Sequence, residues 1–586
     1  MIGCVALLLN KVNLGGINMD NKMVAKMFEE LATLLELHGE NPFKVNAYLS
    51  AAKTIEGLAE AIDEYYEDNK LQTLKGIGKS ISEKIEELIK TGKIEVLEKL
   101  RKETPAGLIE MLKIPGLGPK RIKILYDKLG IKTIQELEYA CQENRLLTLE
   151  GFGQKTQNKI KHGISLLAQY KDKHLLNETL LLAQDILKYA KRCSSVKQAE
   201  IAGSLRRFKE LVKDIDIIVG TEDQKNTVEH CAKYSGISEI IEKGENLLSF
   251  FSSGIRVDIK LVNSSEFISA LMHFTGSKEH NVEIRRIAKQ SGYKVNEYGI
   301  FKGDKQILLN SEVEFYKFFN MQYIPPELRE NMGEVEISLI NGIPKLLETK
   351  DVLGILHVHS NWSDGTPTIE DIAKEAARSG YEYIGIADHS KSAAYAGGLN
   401  EDRLKEQIEY INQLNKKLKN IRILKGVEAD ILKDGSIDIE ENILKDLDFV
   451  IASVHSYFNM SEEEMTERIL KALRNKYVDI IGHVSGRLLL GREPYKINIE
   501  KIIEEAIKLN KIIELNANPY RLDIDWRYLI KYKDSNLMIS INPDAHHLDG
   551  LNDMVYGIGI ARKGWCIPSK VLNTYHSEQI ISMLHS

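Results

Sequence analysis

Two aspartates lie two positions apart in an apolar stretch of the chain. Asp214 and Asp216 belong to the run Asp-Ile-Asp-Ile-Ile-Val, and Asp258 lies in a second stretch rich in Ile and Val. Side chains two positions apart on a strand leave the same face, so both carboxylates would point together. Three carboxylates on one sheet could hold two Mg²⁺ ions for nucleotidyl transfer. Alternating aspartates also fit a half-exposed strand, but the preceding Gly-Ser-x-Arg-Arg motif, residues 203–207, favours the metal site.

A second set of candidate metal ligands follows short apolar stretches after residue 350. Imidazoles or carboxylates follow six of seven predicted strands, at His357, His359, Asp364, His389, Glu428, His455, His483, Asp544 and His546. A single histidine at a strand end is more often a packed or surface residue. The recurrence instead predicts one site at the carboxyl ends of barrel strands. Nitrogen and oxygen ligands without thiolate suit Mn²⁺, Zn²⁺ or Fe²⁺.

Three Gly-x-Gly turns occur early in the chain, each with a nearby lysine and a helical pattern after it. The glycines are Gly76 and Gly78, Gly116 and Gly118, and Gly151 and Gly153, and the lysines are Lys79, Lys120 and Lys155. Glycines allow close approach of the backbone to a ligand, and the first N–H groups of the next helix favour phosphate. One such turn is usually structural. Three copies predict helix-hairpin-helix binding to the DNA backbone, without sequence preference.

The elements that position these residues change in character along the chain. Residues 22–66 have apolar side chains at helical spacing, whereas 200–262 contain strand-like runs such as 216–219 and 256–262. Beyond a predicted boundary near residue 345, predicted strands are 354–358, 383–387, 421–427, 449–454, 478–482, 512–516 and 538–542. Helical segments such as 369–377 and 499–509 separate several of them. The pattern indicates helical domains, then an α+β region, then a parallel α/β barrel.

Charge and composition narrow the class of protein. Residues 71–173 contain 20 lysines and arginines against 13 acids, whereas residues 351–586 contain 29 against 36. A basic front and an acidic back suit a polyanion and cations respectively, although ordinary fluctuation could give the same balance. The five scattered cysteines indicate a reducing cytoplasm, and no apolar run is long enough for a membrane span. We expect residues 1–18 to be an N-terminal extension, with Met19 as an alternative start.

The Gly-Ser-x-Arg-Arg and Asp-Ile-Asp motifs resemble the nucleotidyltransferase palm of family X DNA polymerases. The resemblance covers about residues 22–320 and continues in Phe274-Thr-Gly276-Ser, Asn281, Arg285 and Asn296-Glu-Tyr298. It implies that Gly203, Ser204 and Arg207 hold the incoming triphosphate. It also implies that Phe274 and Gly276 lie beside the sugar, that Asn281 contacts the base edge, and that Arg285 faces the template. His273 stands where vertebrate relatives have tyrosine, which leaves open the discrimination against ribonucleotides.

Lys84 occupies a place where several members of this family carry a lyase lysine. By that resemblance it would form a Schiff base with abasic deoxyribose, which requires a lowered pKa. A second lysine of the family is replaced by Ser80. The alternative is that Lys84 is a plain phosphate contact.

The histidine-rich part, residues 351–570, resembles the polymerase-and-histidinol-phosphatase (PHP) domain, a distorted (β/α)7 barrel with three metal ions. The resemblance implies one metal on His357, His359, Glu428 and Asp544. A second would lie on Asp364, His389 and His546, and a third on Glu428, His455 and His483. All nine ligand positions of that pattern are filled.

Together the two resemblances predict a gap-filling DNA repair polymerase, as in base excision repair, with a metal-dependent 3′→5′ exonuclease. Abasic-site cleavage or 3′-phosphatase activity would be an addition. The expected divisions are 1–18 extension, 19–100 lyase-like domain, 101–173 fingers, 174–262 palm, 263–335 thumb, 336–350 linker and 351–586 PHP domain. The expected partners are gapped or nicked DNA and dNTPs, with no membrane, in a cytoplasmic monomer. The alternatives are an end-processing or small-metabolite phosphoesterase, and a DNA-end-binding scaffold with a vestigial polymerase.

Overall fold

The computed structural model describes residues 21–58, 60–142, 144–169 and 172–584. The chain divides into two compact units, residues 1–172 and 173–586, with separate apolar cores. The expected extension, residues 1–18, and Met19 lie outside the described residues. Within the described ranges, no helix is both long and apolar enough to cross a bilayer.

The first unit is helical around a core of leucines and isoleucines. Its helices are Asn21–Leu37 (α1), Pro42–Glu56 (α2), Ile62–Glu67 (α3), Lys79–Thr91 (α4), Glu95–Glu103 (α5), Ala106–Met111 (α6), Pro119–Leu129 (α7), Ile134–Gln142 (α8) and Gln154–Gln169 (α9). The predicted glycine turns directly precede α4, α7 and α9. The helical pattern predicted for residues 22–66 is therefore confirmed, and it forms three helices.

The second unit begins with a mixed sheet and its covering helices. The strands are His174–Leu175 (β1), Val196–Ile201 (β2), Leu211–Val212 (β3), Asp214–Thr221 (β4), Glu239–Lys243 (β5), Leu247–Ser252 (β6) and Ile255–Asn263 (β7). The helices are Leu176–Ala190 (α10), Gly203–Arg206 (α11), Gln224–Cys231 (α12), Phe267–Thr275 (α13) and Lys278–Gln290 (α14). Five strands form the order β2-β4-β7-β6-β5, and β1 pairs with β3. The central strands β4 and β7 are parallel, which brings both predicted aspartate stretches side by side.

A small antiparallel sheet and two helices follow. The strands are Lys294–Val295 (β8), Ile300–Lys302 (β9) and Lys305–Ile307 (β10), and the helices are Glu312–Phe318 (α15) and Glu334–Leu339 (α16). The segment expected to be a linker, residues 336–350, is well packed: Ile343, Leu346 and Leu347 are buried. Leu347 also accepts and donates hydrogen bonds with residues beyond position 560. No division between compact units falls near residue 345.

The remainder of the second unit is a barrel of seven parallel strands. These are Gly354–Val358 (β11), Tyr383–Ile386 (β12), Arg422–Asp430 (β13), Phe449–Ser453 (β14), Ile480–Ile481 (β15), Ile512–Asn516 (β16) and Met538–Asn542 (β17). They are hydrogen-bonded in sequence order, and a parallel bridge between Val358 and Ala545 nearly closes the sheet. The helices are Ile369–Arg378 (α17), Glu401–Lys417 (α18), Glu441–Leu444 (α19), Glu462–Leu473 (α20), Ile499–Lys508 (α21), Trp526–Lys531 (α22), Met554–Lys563 (α23) and Ser577–Met583 (α24). The predicted multidomain fold is thus confirmed, and all seven predicted barrel strands are present.

Candidate active sites

The aspartates of the central sheet lie side by side on neighbouring strands. Asp216 on β4 is in register with Asp258 on β7. Burial, together with the charges of Asp216 and Asp258, raises the pKa of Asp214, which places all three carboxylates near one another. Crowded carboxylates with this mutual repulsion suit divalent cations, which bind oxygen ligands.

Three further side chains contact these aspartates. The Ser249 hydroxyl donates to Asp258 Oδ1 at 2.6 Å, and Arg256 Nε lies 3.2 Å from the same oxygen. Lys260 Nζ donates to Asp216 Oδ1 at 2.7 Å. Sequence analysis missed all three, although Arg256 and Lys260 flank Asp258 at the spacing that puts side chains on one face of a strand.

The predicted nucleotide-binding residues line one open cleft of about 490 Å³ beside these aspartates. Its lining contains the predicted residues Gly203, Ser204, Arg207, Asp214, Asp216, Phe274, Gly276, Asn281 and Arg285. His273 and Lys278 also line the cleft, whereas Asp258 is not among its lining residues. Residues from three separate parts of the chain thus meet beside the strand that carries Asp214 and Asp216.

Two glycines are required where the cleft wall passes close to the sheet. Gly203 has φ +62°, and a Cβ there would lie 2.3 Å from Asp216 Oδ2. Gly276 has φ +67°, and a Cβ there would lie 3.2 Å from Arg207 Nη1. Side chains at either position would therefore be strained and would displace groups of the cleft.

Two of the predicted contact residues are held by the backbone or side chain of His273. The Asn281 amide donates to the His273 carbonyl at 2.7 Å, and Arg285 Nη2 lies 3.2 Å from His273 Nδ1. Burial lowers the pKa of His273, so the neutral imidazole is favoured. His273, the departure from the vertebrate pattern, is therefore the residue that links Asn281 to Arg285.

The barrel gathers its histidines and acids around one buried carboxylate, Glu428. Glu428 lies inside β13, one residue beyond the predicted strand end, and is almost fully buried. Its oxygens lie 2.9 Å from His389 Nδ1, 3.0 Å from His483 Nε2, 3.2 Å from His455 Nε2, 3.3 Å from His357 Nε2 and 3.6 Å from His359 Nε2. Burial opposes ionisation, but the surrounding imidazoles hold the pKa of Glu428 well below its usual range.

The ligand atoms fall into three overlapping groups, with the atoms of each group within 4.8 Å of one another. The groups are His359, Asp364, His389 and His546; His357, His359 and Asp544; and His389, Glu428 and His455. Within the described part of the chain, His359 Nε2 and His357 Nε2 are buried without a hydrogen-bond partner. Carboxylate oxygens nevertheless lie 3.2–3.3 Å from them, a separation that suits two ligands of one ion. The arrangement thus fits a multi-metal site.

Backbone strain occurs at three of the nine predicted ligands. His357, His483 and Asp544 have φ values of +57°, +24° and +51°. Left-handed backbone is unfavourable for side-chain-bearing residues and is found often at functional sites. His357 is the last residue but one of β11, and His483 and Asp544 each lie two residues beyond the end of a strand, β15 and β17 respectively.

A second layer of residues, which sequence analysis missed, orients the ligands. Glu514 on β16 is fully buried, and its Oε1 lies 2.6 Å from His357 Nδ1, so that Nε2 points at the cluster. Asp430 Oδ1 lies 3.3 Å from His455 Nδ1, and Arg521 Nε lies 3.4 Å from Asp544 Oδ2. Glu514 lies on the one predicted strand with no assigned ligand. Its signal in the sequence was a lone carboxylate within an apolar strand.

The three glycine turns of the first unit share one backbone geometry. Gly76, Gly116 and Gly151 each have φ +81°, and Gly78 and Gly118 directly cap the following helices. Nothing lies within 4 Å of a Cβ added at Gly78, Gly118 or Gly153, so the space in front of each turn is open. Lys84 on α4 forms an ion pair with Glu87 at 2.6 Å. The turns can therefore present backbone N–H groups to phosphates.

Comparison with known families agrees with this architecture. Residues 19–94 match a helix-hairpin-helix domain and residues 108–164 match a SAM-like helix-hairpin-helix tandem. Residues 270–330 match the DNA polymerase beta thumb, and residues 356–518 match the PHP domain.

Individual relatives match either nearly the whole chain or about a third of it. The chain is 39% identical over 571 residues to the DNA polymerase/3′-5′ exonuclease PolX of Bacillus subtilis, covering 97% of this chain and 99% of that protein. A probable phosphatase of Caldanaerobacter subterraneus is 36% identical over 192 residues, or 30% of this chain and 70% of that protein. A probable phosphatase of Thermoanaerobacter sp. is 32% identical over 217 residues, or 35% and 84% respectively. With near-complete coverage by the first relative, the chain belongs to the bacterial PolX family of family X DNA polymerases, with helix-hairpin-helix domains, a beta-type thumb and a C-terminal PHP domain.

Proposed function

We propose that this protein extends a primer with dNTPs to fill short DNA gaps in repair, and trims DNA 3′ ends in its barrel. The observation that carries the proposal is the coexistence of two separate clusters of candidate metal ligands in one chain. One is Asp214, Asp216 and Asp258 beside the cleft, and the other surrounds Glu428. The similarity to a B. subtilis polymerase and exonuclease supports both activities.

In the polymerase site, the residues of the cleft bind and orient the incoming dNTP. Ser204 and Arg207, next to Gly203, hold the triphosphate, while Phe274 and Gly276 border the sugar. Asn281 reaches the base edge and Arg285 faces the template. Asp214, Asp216 and Asp258 would hold two Mg²⁺ ions, which when bound favour ionisation of the primer 3′-hydroxyl and stabilise the departing pyrophosphate.

In the barrel, the histidines and acids position a phosphodiester at the strand ends. Each of the three groups of ligand atoms would hold one Mn²⁺ or Zn²⁺ ion, with His359 and His389 each belonging to two groups. When bound, such ions activate water for attack on phosphorus and neutralise the phosphate. Glu514 keeps His357 in the productive orientation, and Arg521, beside Asp544, lies where it can contact a phosphate oxygen.

The first unit supplies the contacts to gapped DNA. Its three open turns, with Lys79 and Lys120, would bind phosphates on the two sides of a gap, including a downstream 5′-phosphate. Lys84 would contact phosphate or act as the lyase nucleophile. We assign residues 19–100 and 101–173 to these DNA contacts, 174–262 to the palm, 263–335 to the thumb and 351–586 to the nuclease.

A second activity of the barrel has its own support. Two relatives that match 30% and 35% of the chain are probable phosphatases, at 36% and 32% identity. We therefore include removal of 3′-phosphates, and cleavage at abasic sites, among the activities of the same cluster. An end-processing phosphoesterase without polymerase activity is the alternative to the bifunctional enzyme.

One experiment tests both halves. A labelled primer on a gapped duplex is incubated with the full-length protein, with or without dNTPs, in Mg²⁺ or in Mn²⁺. We expect extension into the gap with dNTPs, and shortening from the 3′ end without them, strongest in Mn²⁺. A primer that is never extended contradicts the polymerase, and one that is never shortened contradicts the nuclease.

A further inference from the structure

Lys563, the last residue of α23 in the barrel, has no solvent-exposed side-chain surface. Burying an ammonium is unfavourable unless its charge is paired and its hydrogens find acceptors. Its Nζ donates to Glu330 Oε1 at 2.6 Å and to the Arg207 carbonyl at 2.9 Å. It also lies 4.7 Å from the centre of the Trp526 ring. A third, longer hydrogen bond of 3.4 Å goes to the Glu327 carbonyl, and all three acceptors lie outside the barrel.

Glu330 connects Lys563 to the side chain of Arg207. The buried Glu330 carboxylate accepts from Arg207 Nε at 3.1 Å on the oxygen that Lys563 contacts. Its other oxygen lies 3.0 Å from Lys209 Nζ. Burial opposes ionisation, but Lys563 and Arg207 lower the pKa of Glu330 to about 2. Glu330 is therefore ionised at neutral pH and contacts three cations, Lys563, Arg207 and Lys209.

The guanidinium of Arg207 is fixed at the wall of the cleft. Its Nη1 donates to the Thr275 carbonyl at 2.5 Å and lies against Gly276. Lys563 thus acts on Arg207 at two points, directly on its backbone carbonyl and through Glu330 on its side chain. Removal of Lys563 would take a hydrogen bond from the Arg207 carbonyl and an ion-pair partner from Glu330.

The rest of α23 holds Lys563 in this place. The ring of Phe208, the residue after Arg207, packs so closely on Gly559 that a Cβ there would lie 2.1 Å from the ring. Arg562 Nε donates to Glu327 at 2.7 Å, and Arg562 Nη1 donates to the Leu347 carbonyl at 2.8 Å. The last turn of the helix is therefore anchored at two residues before the lysine, Gly559 and Arg562, which makes the position of Lys563 well defined.

We propose that Lys563 is a positioning residue for the polymerase site: through Glu330 and the Arg207 backbone, the barrel orients the arginine that binds the incoming triphosphate. The inference rests on the proposed role of Arg207. A salt bridge that only joined two domains could engage any residue of the interface. Lys563 instead contacts the main-chain carbonyl of one cleft residue, Arg207, and reaches the guanidinium of the same residue through Glu330.

The test is the dNTP dependence of gap filling by full-length Lys563→Met, which keeps the volume of the buried side chain without its charge. We expect the KM for dNTP to rise roughly tenfold with a much smaller fall in kcat, because displacing a binding group by about 1 Å can cost up to about 100-fold. Shortening of a labelled primer in Mn²⁺ should stay at the wild-type rate, which shows that the barrel is folded. The matched control is Lys508→Met, a 74% exposed lysine at the end of α21, which should leave KM unchanged.

Glu330→Gln provides a second route, because it removes the link and leaves the barrel sequence intact. Its KM should rise similarly, and the double variant should be no worse than the more affected single variant, since both changes act on one path. A folded Lys563→Met with wild-type KM overturns the inference. If Lys563→Met does not fold, an unchanged KM in Glu330→Gln overturns it instead. An unchanged KM in Arg207→Ala would contradict the proposed role of Arg207 itself.

Discussion

Lys260 and Asp216 form an ion pair of 2.7 Å between two parallel strands of the central sheet. The Lys260 ammonium also lies 4.4 Å from the centre of the Phe274 ring. Asp216 Oδ1 is thus engaged by a lysine at the place where the proposed Mg²⁺ ions require carboxylate oxygens. A Mg²⁺ ion bound there would compete with the lysine for this ligand atom.

Lys260→Met should therefore lower the Mg²⁺ concentration that gives half-maximal primer extension. A partly exposed ion pair contributes about 0.2–1 kcal/mol, so we expect a shift of up to roughly fivefold. The measurement is a Mg²⁺ titration of gap filling at saturating dNTP. An unchanged or higher Mg²⁺ requirement would show that Lys260 does not compete with the ion.

Asp258→Ala should abolish dNTP incorporation, because it removes one of the three carboxylates proposed to hold Mg²⁺. Shortening of a 3′-recessed primer in Mn²⁺ should continue, since the barrel has its own ligands. Asp304→Ala, in the turn between β9 and β10, serves as the control for loss of an acid in the same unit. Extension at the normal rate by Asp258→Ala would refute the assignment.

His359→Ala should abolish 3′→5′ shortening and spare polymerisation. His359 lies in two of the three groups of ligand atoms, so its loss opens both. The matched control is His576→Ala, an exposed histidine of the same barrel that pairs with Glu382. Wild-type shortening by His359→Ala, measured on an end-labelled duplex without dNTPs, would place the nuclease elsewhere.

Binding of gapped DNA should weaken steeply with salt, because lysines near the glycine turns would displace counterions from phosphates. Replacing both Lys79 and Lys120 by Ala should reduce the slope of log affinity against log salt by about 2, about one per phosphate contact. Lys70→Ala, at an exposed lysine paired with Asp68, should leave the slope unchanged. Fluorescence anisotropy between low and moderate salt gives the slopes, and equal slopes for all variants would contradict the proposed interface.

Acid should destabilise the second unit through Glu312. Burial opposes its ionisation, but Arg329 and Arg206 lower the pKa of Glu312 to about 2. Since the folded pKa lies below the ordinary value of 4.5, the stabilisation is fully present above about pH 4.5 and is lost as the pH falls towards 2. It is on the order of 3 kcal/mol.

Glu312→Gln should lower the free energy of unfolding at pH 7 by roughly 3–5 kcal/mol, because it leaves buried Arg329 without its anion. The difference from wild type should shrink towards pH 3. Urea unfolding at both pH values measures this, with the exposed Glu336→Gln as control. A constant difference at the two pH values would exclude Glu312 as the source of acid sensitivity.

The sequence predicted most reliably those features that repeat locally. The glycine turns and the barrel strands were visible because each copy has the same pattern, which depends only on neighbouring residues. Glu428 was identified although β13 continues for two residues beyond it, because a carboxylate next to an apolar run is a candidate metal ligand wherever the strand ends.

The features that were missed depend on partners far apart in the chain. Glu514 contacts His357 from 157 positions away, and Lys563 contacts Glu330 from 233 positions away. No local pattern marks such a lysine, since α23 also has Arg562 beside it. The packing of residues 336–350 was likewise not predicted. This segment contains several charged residues, and its three buried apolar side chains, Ile343, Leu346 and Leu347, follow no regular spacing.

The contact between Lys563 and Arg207 joins residues 356 positions apart. A ribosome adding about 5–20 residues per second needs roughly 20 to 70 seconds to travel that distance. The sheet that carries Asp214, Asp216 and Asp258 therefore emerges long before the helix that holds its arginine. During that interval Phe208 lacks its contact with Gly559 and Glu330 lacks its ion pair with Lys563, so the nucleotide cleft gains these barrel contacts only after residue 563 has been added.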